Sequence, residues 1–406
     1  MMNQTSGHNA ALLSMLAVVV CCALPTNSFA SGQPLKVYVL VGQSNMQGHA
    51  HVRTLEHLGM APETIPLLRE IRGEDGVDRV HRDIWISSLS TGGEKHGQLT
   101  TGYGADENKI GPELTFGIYT QKRLKQPILI IKTAWGGKSI NTDFRSPSAG
   151  PYEFSAAQLE TLRKRGKDID AIKTEKENAT GHYFRLTVAH VKKVLSDIKR
   201  VYPSYDSEQG YELAGLVWFQ GWNDMVDSGT YPNRNTSGGY GQYSVCLMHF
   251  IRDVRKELGA PKLPFVIGVM GVGGPVNQYG PDQQRYRVTH QSFREAMAAP
   301  VNEPEFEGNV VAVRTEEFWD MELVPLRAKE NAIKQQLKKL RQEGKLSPSE
   351  IKAEETKQRA EAFTQRERNL LELGVSNAEY HYLGSSKIMT RIGIGFAEAM
   401  GSIERE

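Results

Sequence analysis

An α/β protein built on a parallel sheet with helices on both faces is the fold class this sequence predicts, on three observations. Short apolar runs rich in β-branched residues recur along the chain, helical patterns lie between most of them, and several runs end abruptly in glycine and polar side chains. Strands buried on both faces read as continuous apolar runs, and parallel neighbours need a crossover that is usually a helix. In such sheets ligands bind beyond the carboxyl ends of the strands, which is where the polar clusters fall.

The chain has 406 residues, 39% apolar and 24% charged, enough to bury a large core in one domain with insertions or in two domains. Its first thirty residues hold no Lys, Arg, Asp or Glu and carry an apolar run from Ala10 to Leu24. Residues 1–30 therefore read as a secretory signal, with Ser28-Phe29-Ala30 as the cleavage site before Ser31, although the usual positive residue at the start is missing. An uncleaved anchor and a lipoprotein joined through Cys21 are the other readings, the latter weakened by Val20 where a small residue is expected. A secreted or periplasmic mature chain, 31–406, is the expectation, without stable membrane insertion, because no later run approaches the roughly 20 apolar residues of a spanning helix. Cys246 is then the one cysteine left, so no internal disulfide can form, and its helical pattern places it in the core. A net charge of +2 gives no reason to expect nucleic acid as a partner.

The strand candidates, in order, are Leu35 to Val41, Ile84 to Leu89, Ile128 to Lys132, Leu213 to Phe219, Phe265 to Met270 and Val310 to Val313. Helical periodicity fits Pro112 to Leu124, Tyr183 to Val201, Tyr243 to Leu258 and Arg285 to Ala298. Residues 141–180 form a long connection expected to shape a cleft. Residues 326–373 are charge-dense and nearly free of Gly and Pro, and predict a helical hairpin inserted in the domain, turning at 344–347. Ser347 as cap, Pro348 at the first helical position and Glu350 make a strong helix start. The sparse apolar positions suit a solvated insertion; a partner-binding arm is the alternative.

"YVLVGQSNMQGH" at 38–49 runs an apolar strand into Gly42, Gln43 and Ser44. A glycine-flanked serine is common turn chemistry, and it is also where a nucleophile would be exposed. It is not a Gly-x-Ser-x-Gly elbow, since Gln43 precedes the serine. A serine nucleophile needs a base within hydrogen-bond reach. Of 11 histidines, His381 stands out, on a loop before a good terminal helix. Oriented donors for an oxyanion could come from Gly111, from Gln220, Gly221 and Asn223 after the fourth strand, or from the backbone near Gly136 and Gly137. Turn chemistry explains each of these segments equally well.

The blocks "GQSNMQG" (42–48), "IGPELTFG" (110–117), "KTAWGGKSI" (132–140), "WFQGWND" (218–224) and "HYLGSSK" (381–387) resemble, in this order, those of the sialate O-acetylesterase-like carbohydrate esterases of the SGNH-hydrolase superfamily. The resemblance runs from about residue 35 to 400. It implies a flavodoxin-like three-layer α/β/α sandwich and hydrolysis of acetyl esters on sugars, sialic acid or acetylated polysaccharide, with neither a metal nor an organic cofactor. Carried over by motif, Ser44 attacks, His381 takes the proton, and the oxyanion is held by the Ser44 N–H, Gly111 and the Asn223 amide, with Gln220 as the other choice.

Two positions depart from the pattern: Trp222 stands where the family often has Glu, and Ala378 where the superfamily often has Asp. The acid that would orient His381 is left between Asp224 and Glu379, with a dyad held by a backbone carbonyl as a third arrangement. The substrate candidates are Gln43, Trp135, Lys138, Arg145 and Trp222. The rings could stack on sugar faces or belong to the core, and the two cations could meet an anionic sugar or serve as structural charge. An esterase for non-sugar acyl esters and an inactive carbohydrate-binding protein are the competing functions. Oligomeric state is not readable from the sequence.

Overall fold

The structure is a computed structural model in which residue 1, residues 32–344 and residues 346–404 are described. The expected signal at 1–30 lies outside the described residues, save Met1.

Among the described residues nine strands form: β1 (Leu35–Gly42), β2 (Ala50–His51), β3 (His81–Ser90), β4 (Gly93–Leu99), β5 (Lys109–Ile110), β6 (Ile128–Ala134), β7 (Tyr211–Phe219), β8 (Phe265–Val269) and β9 (Val310–Arg314). Seven of them make one sheet in the order β4-β3-β6-β1-β7-β8-β9, and β2 pairs with β5 separately. All neighbours in the large sheet are parallel except β3 and β4, an antiparallel hairpin at one edge. The apolar runs all become strands of this sheet. The edge strand β4, "GEKHGQL", carries no apolar run, because an edge facing water needs no buried side chains and is protected by charge.

Adjacent residues of β7 show how the layers are built, since successive side chains on a strand point to opposite faces. Trp218 packs on Phe250 of the Gly241–Glu257 helix, while Phe219 meets Phe396 of the Ser386–Ile403 helix. On the second face Tyr38 of β1 also meets Phe116 of the Glu113–Leu124 helix. The result is a three-layer α/β/α sandwich, and Val37 to Val41 in its middle strand are fully buried.

The chain builds outward from β1 to β3 and back to β6 on one side, then crosses to β7, β8 and β9 on the other. The carboxyl end of β1 therefore lies at the point where the strand order reverses, the usual place for a ligand crevice.

Residues 141–180 hold two exposed helices, Ala156–Lys164 and Ile169–Ala179. The charge-dense stretch forms Leu323–Gln342 and Pro348–Ala362, the latter opened by a capping box between Ser347 and Glu350. A third helix, Gln365–Gly374, starts at a second box of Thr364 and Glu367. Ile333, Leu337, Ile351, Phe363 and Leu370 bury the inner side, and Glu330 gathers Arg327, Lys334 and Arg359.

Candidate active site at the end of the first strand

β1 ends at Gly42, and Ser44 opens the short helix Ser44–Gln47. Only glycine fits at 42, since a Cβ would stand 2.2 Å from the Phe219 carbonyl oxygen. Gly48 ends the turn at φ +93°, pressed against Gly111. Beneath the helix, Lys132 donates to the Gln47 carbonyl (2.8 Å), the Tyr103 carbonyl (2.9 Å) and Glu113 Oε2 (2.6 Å). Both members of this ion pair are fully buried, and burial lowers the Lys132 pKa against the pull of Glu113. Ser44 is 7% exposed, and its hydroxyl and its N–H make no hydrogen bond among the described residues.

The turn Glu379–Gly384 lies against this helix and carries His381. Tyr382 and Leu383 hold left-handed backbone, at φ +53° and +61°, which costs a non-glycine residue about 1–3 kcal/mol each. Burial holds them there: the Tyr382 hydroxyl accepts from the Gly271 N–H (2.7 Å) at the end of β8 and pairs with Thr315 Oγ1 (2.6 Å) beyond β9.

The Nδ1 of His381 lies 3.1 Å from Asn377 Oδ1, which also accepts from the Ala378 N–H (2.7 Å). A carbonyl oxygen can only accept, so Nδ1 carries the proton and Nε2 is left as the lone-pair nitrogen. The ring is stacked on His49, with centroids 3.9 Å apart and planes 2° apart. Burial, with Lys109 adding to it, lowers the His381 pKa to about 4, and burial together with His381 does the same to His49. At neutral pH the imidazole is a free base.

The "QGWND" block closes the site from the other side through Gln43. Its Oε1 accepts from Gln220 Nε2 (3.1 Å), the Gly221 N–H (3.1 Å) and the Asn223 N–H (3.4 Å), and its Nε2 donates to Asn223 Oδ1 (3.0 Å). The Asn223 carbonyl oxygen is thereby occupied and its Nδ2 is left to donate elsewhere. Gly136, an exposed residue, also stands by the serine, a Cβ there falling 3.8 Å from Ser44 Cβ, and its N–H has no partner among the described residues.

Other expected members stand elsewhere. The Gly111 N–H is already committed to Glu113 Oε1 at 2.9 Å. Gln220 Nε2 is spent on Gln43, the Lys138 carbonyl and Asp224. Asp224 does not reach His381. Fully buried, it accepts from the Ile140 and Asn141 N–H groups, Asn141 Nδ2, Gln220 and Tyr231, and so pins the chain after β6; burial lifts its pKa to about 6. Glu379 is exposed and makes no bond to the histidine. The partner of His381 is Asn377, four residues earlier, which motif spacing overlooked because the amide stands one place before the position where an acid is sought.

Of the substrate candidates, Gln43 is the organising hub just described. Trp135 is core, against Phe144 and Tyr183. Arg145 is also structural: its guanidinium holds the carbonyls of Asn141, Ala149 and Gly150 and touches Cys246 Sγ, leaving no fork for an anion. Lys138 is half-buried over the Tyr183 ring, 3.7 Å from Asp143. Trp222 remains at the surface, 5.6 Å from Tyr380, whose ring is in turn 4.5 Å from His381. Among the described residues no group of acidic, histidine or cysteine side chains is arranged to hold a metal, and no helix is long and apolar enough to cross a membrane.

Comparison with known proteins adds to this geometry. No curated protein matches the sequence. Similar solved structures include a protein from Arabidopsis thaliana, at 17% identity and TM-score 0.39, covering 70% of this chain and 86% of that one. Another is a carbohydrate acetylesterase from Xanthomonas citri, at 15% identity and TM-score 0.34, covering 64% of this chain and 47% of that one. The family described as carbohydrate esterase, sialic acid-specific acetylesterase matches residues 34–173 and 182–318, taking in four of the five motif blocks. With most of its length matched, and with β1, β6 and β7 delivering three of those blocks to one edge of the sheet, the chain belongs to this carbohydrate esterase family.

Proposed function

We propose that the protein is an exported serine-dependent O-acetylesterase that removes acetyl groups from sugars. The observation that carries this reading is the Asn377–His381 hydrogen bond, which fixes the imidazole with its basic nitrogen free on the turn beside the Ser44 helix. Ser44 Oγ attacks the acetyl carbonyl carbon as His381 Nε2 takes its proton. The C=O electron pair moves onto oxygen, where the Ser44 N–H, the Gly136 N–H and Asn223 Nδ2 are the donors best placed to receive it. Collapse expels the sugar oxygen, which takes the proton from His381 and leaves acetyl-Ser44. Water, deprotonated by the same nitrogen, attacks the acetyl carbon; the bond to Ser44 Oγ breaks, the serine takes the proton back from His381, and acetate leaves.

Asn377 in place of an acid makes the orienting partner neutral. It sets the tautomer without stabilising the imidazolium by charge. Sialic acid is the sugar that the family's description names, and an O-acetylated sialic acid is our first substrate; an acetylated neutral polysaccharide is the second.

Acetate release should be followed with O-acetylated sialic acids and O-acetylated oligosaccharides, using the wild type, Ser44→Ala and His381→Ala. Release by the wild type with a loss of at least about 1,000-fold in either variant is expected. Undiminished release by Ser44→Ala, or sugar binding without release by the wild type, would overturn the proposal.

A further inference from the structure

A cleft of about 610 Å³ opens beside the candidate active site, between the segment after β7, the loop after β8 and the turn that bears His381. A second hollow of about 270 Å³ continues it towards the Leu323–Gln342 helix, sharing Gln283, Arg285, Tyr286 and Glu379. The larger volume lies within the roughly 300–1,000 Å³ of small-molecule sites. The rings in its lining are Trp222, Tyr380 and Tyr286, with Tyr279 and His290 deeper in. The path from the reacting centre runs from His381 to Tyr380 and on to Trp222, next in sequence to Asn223.

Its floor is built into the fold. Arg294, 1% exposed, donates to the carbonyls of Met270 and Val272 and to the Tyr279 hydroxyl, and so fixes the loop after β8. Tyr279 pairs with His290 Nδ1 (2.6 Å), and the His290 ring stacks under Tyr286 (centroids 5.7 Å, planes 11° apart). Tyr286, 42% exposed, is thereby fixed between His290 on one side and Arg285 on the other, so that its edge and hydroxyl end, together with the Arg285 side chain, face the cleft.

The lining is polar and carries both signs: Arg234, Arg285 and Arg327 against Asp282 and Glu379, with Gln283 among them; Arg234 is engaged by the Val226 carbonyl and Arg327 by Glu330. Donors and acceptors beside partly exposed rings suit sugar hydroxyls and the apolar face of a pyranose. A run of phosphates or a lipid headgroup would call for one sign of charge.

We propose that this cleft binds the sugar rings next to the acetylated one, so that the natural substrate is an oligosaccharide with uncharged rings in this position. The inference rests on the esterase reading. An acetyl group at Ser44 places its own ring at the mouth, and the next ring follows the surface formed by Trp222, Tyr380 and Tyr286.

The test compares kcat/KM for 4-nitrophenyl acetate and for O-acetylated gluco-, xylo- and galacto-oligosaccharides of one to three rings, in the wild type, Tyr286→Ala and Trp222→Ala. In at least one series kcat/KM should rise about tenfold or more from one ring to three, chiefly through KM, and the ratio of the three-ring to the aryl ester value should fall about tenfold in each variant. The same rate for every length, or a length gain that survives both substitutions, would overturn the proposal. If 4-nitrophenyl acetate turnover does not depend on Ser44, the esterase reading has failed, and calorimetric binding of the deacetylated three-ring sugars then decides the cleft alone: no binding in any series, or binding undiminished in both variants, refutes it.

Discussion

Asn377 is the residue whose chemistry is least expected and most open to test. Its Oδ1 holds the Nδ1 proton of His381, but a neutral amide cannot offset the charge that the ring would gain in the proposed mechanism. Asn377→Asp would place a carboxylate there and raise the His381 pKa by about one unit or more. The acid limb of kcat/KM should shift to higher pH by that amount, while Asn377→Leu should lower kcat at every pH, because the tautomer is no longer fixed. At the oxyanion, Asn223→Ala should lower kcat by about 100-fold or more with a much smaller change in KM. Steady-state kinetics of each purified variant across pH measure these effects. Asp224→Asn should act differently: five donors converge on that buried carboxylate, and the expected loss is in thermal stability, followed by calorimetry.

Two elements decide whether these residues meet. The short Ser44 helix is seated on Lys132, whose ammonium group closes its last turn and pairs with Glu113. Lys132→Met would leave the Glu113 carboxylate buried without its partner, at a cost of roughly 3–5 kcal/mol in urea unfolding. The His381 turn is strained at Tyr382 and Leu383 and held by the Tyr382 hydroxyl. Tyr382→Phe should cost about 1–3 kcal/mol and lower kcat as well, since the turn that it anchors positions the base.

The apolar strands and their helices were legible in the sequence because full burial writes a continuous pattern, as in Val37 to Val41. That Ser44 opens a turn at the end of β1 and that His381 lies on a segment beside it was legible through motifs. The Thr364 helix start, Thr-x-x-Glu, carried the same kind of capping-box signal as the Ser-x-x-Glu read at Ser347, and it passed unread inside a longer charged pattern. The β4 edge, the fully engaged Arg145 and the Asn377 contact were hidden for a shared reason: each depends on which residues become neighbours in space, and local pattern does not encode that.

Across the whole molecule, buried neutral histidines set the acid limit. Burial holds the pKa of His49, His190, His290 and His381 at about 4, against about 6.5 in an unfolded chain. Between those values the unfolded chain binds more protons than the folded one, so stability rises with pH across this window and is lost as pH falls from about 6.5 towards 4. Urea midpoints measured at pH 7, 5.5 and 4.5 should fall in that order. Activity should persist further down, because the stacked His49–His381 pair titrates near 4, and kcat/KM should hold nearly level from pH 7 to about pH 5. An acid limb near pH 6.5 would show that the imidazole is not buried as described.

The serine is the hinge of the whole account, and it can be observed directly. An O-acetylated substrate is mixed with the enzyme, the reaction is quenched in acid within the first turnover, and the peptide containing Ser44 is examined by mass spectrometry. One acetyl group on Ser44, formed within the first turnover by the wild type and absent from Ser44→Ala, is the predicted result. Steady acetate release with no acetyl group ever found on Ser44, and with Ser44→Ala still active, would contradict it.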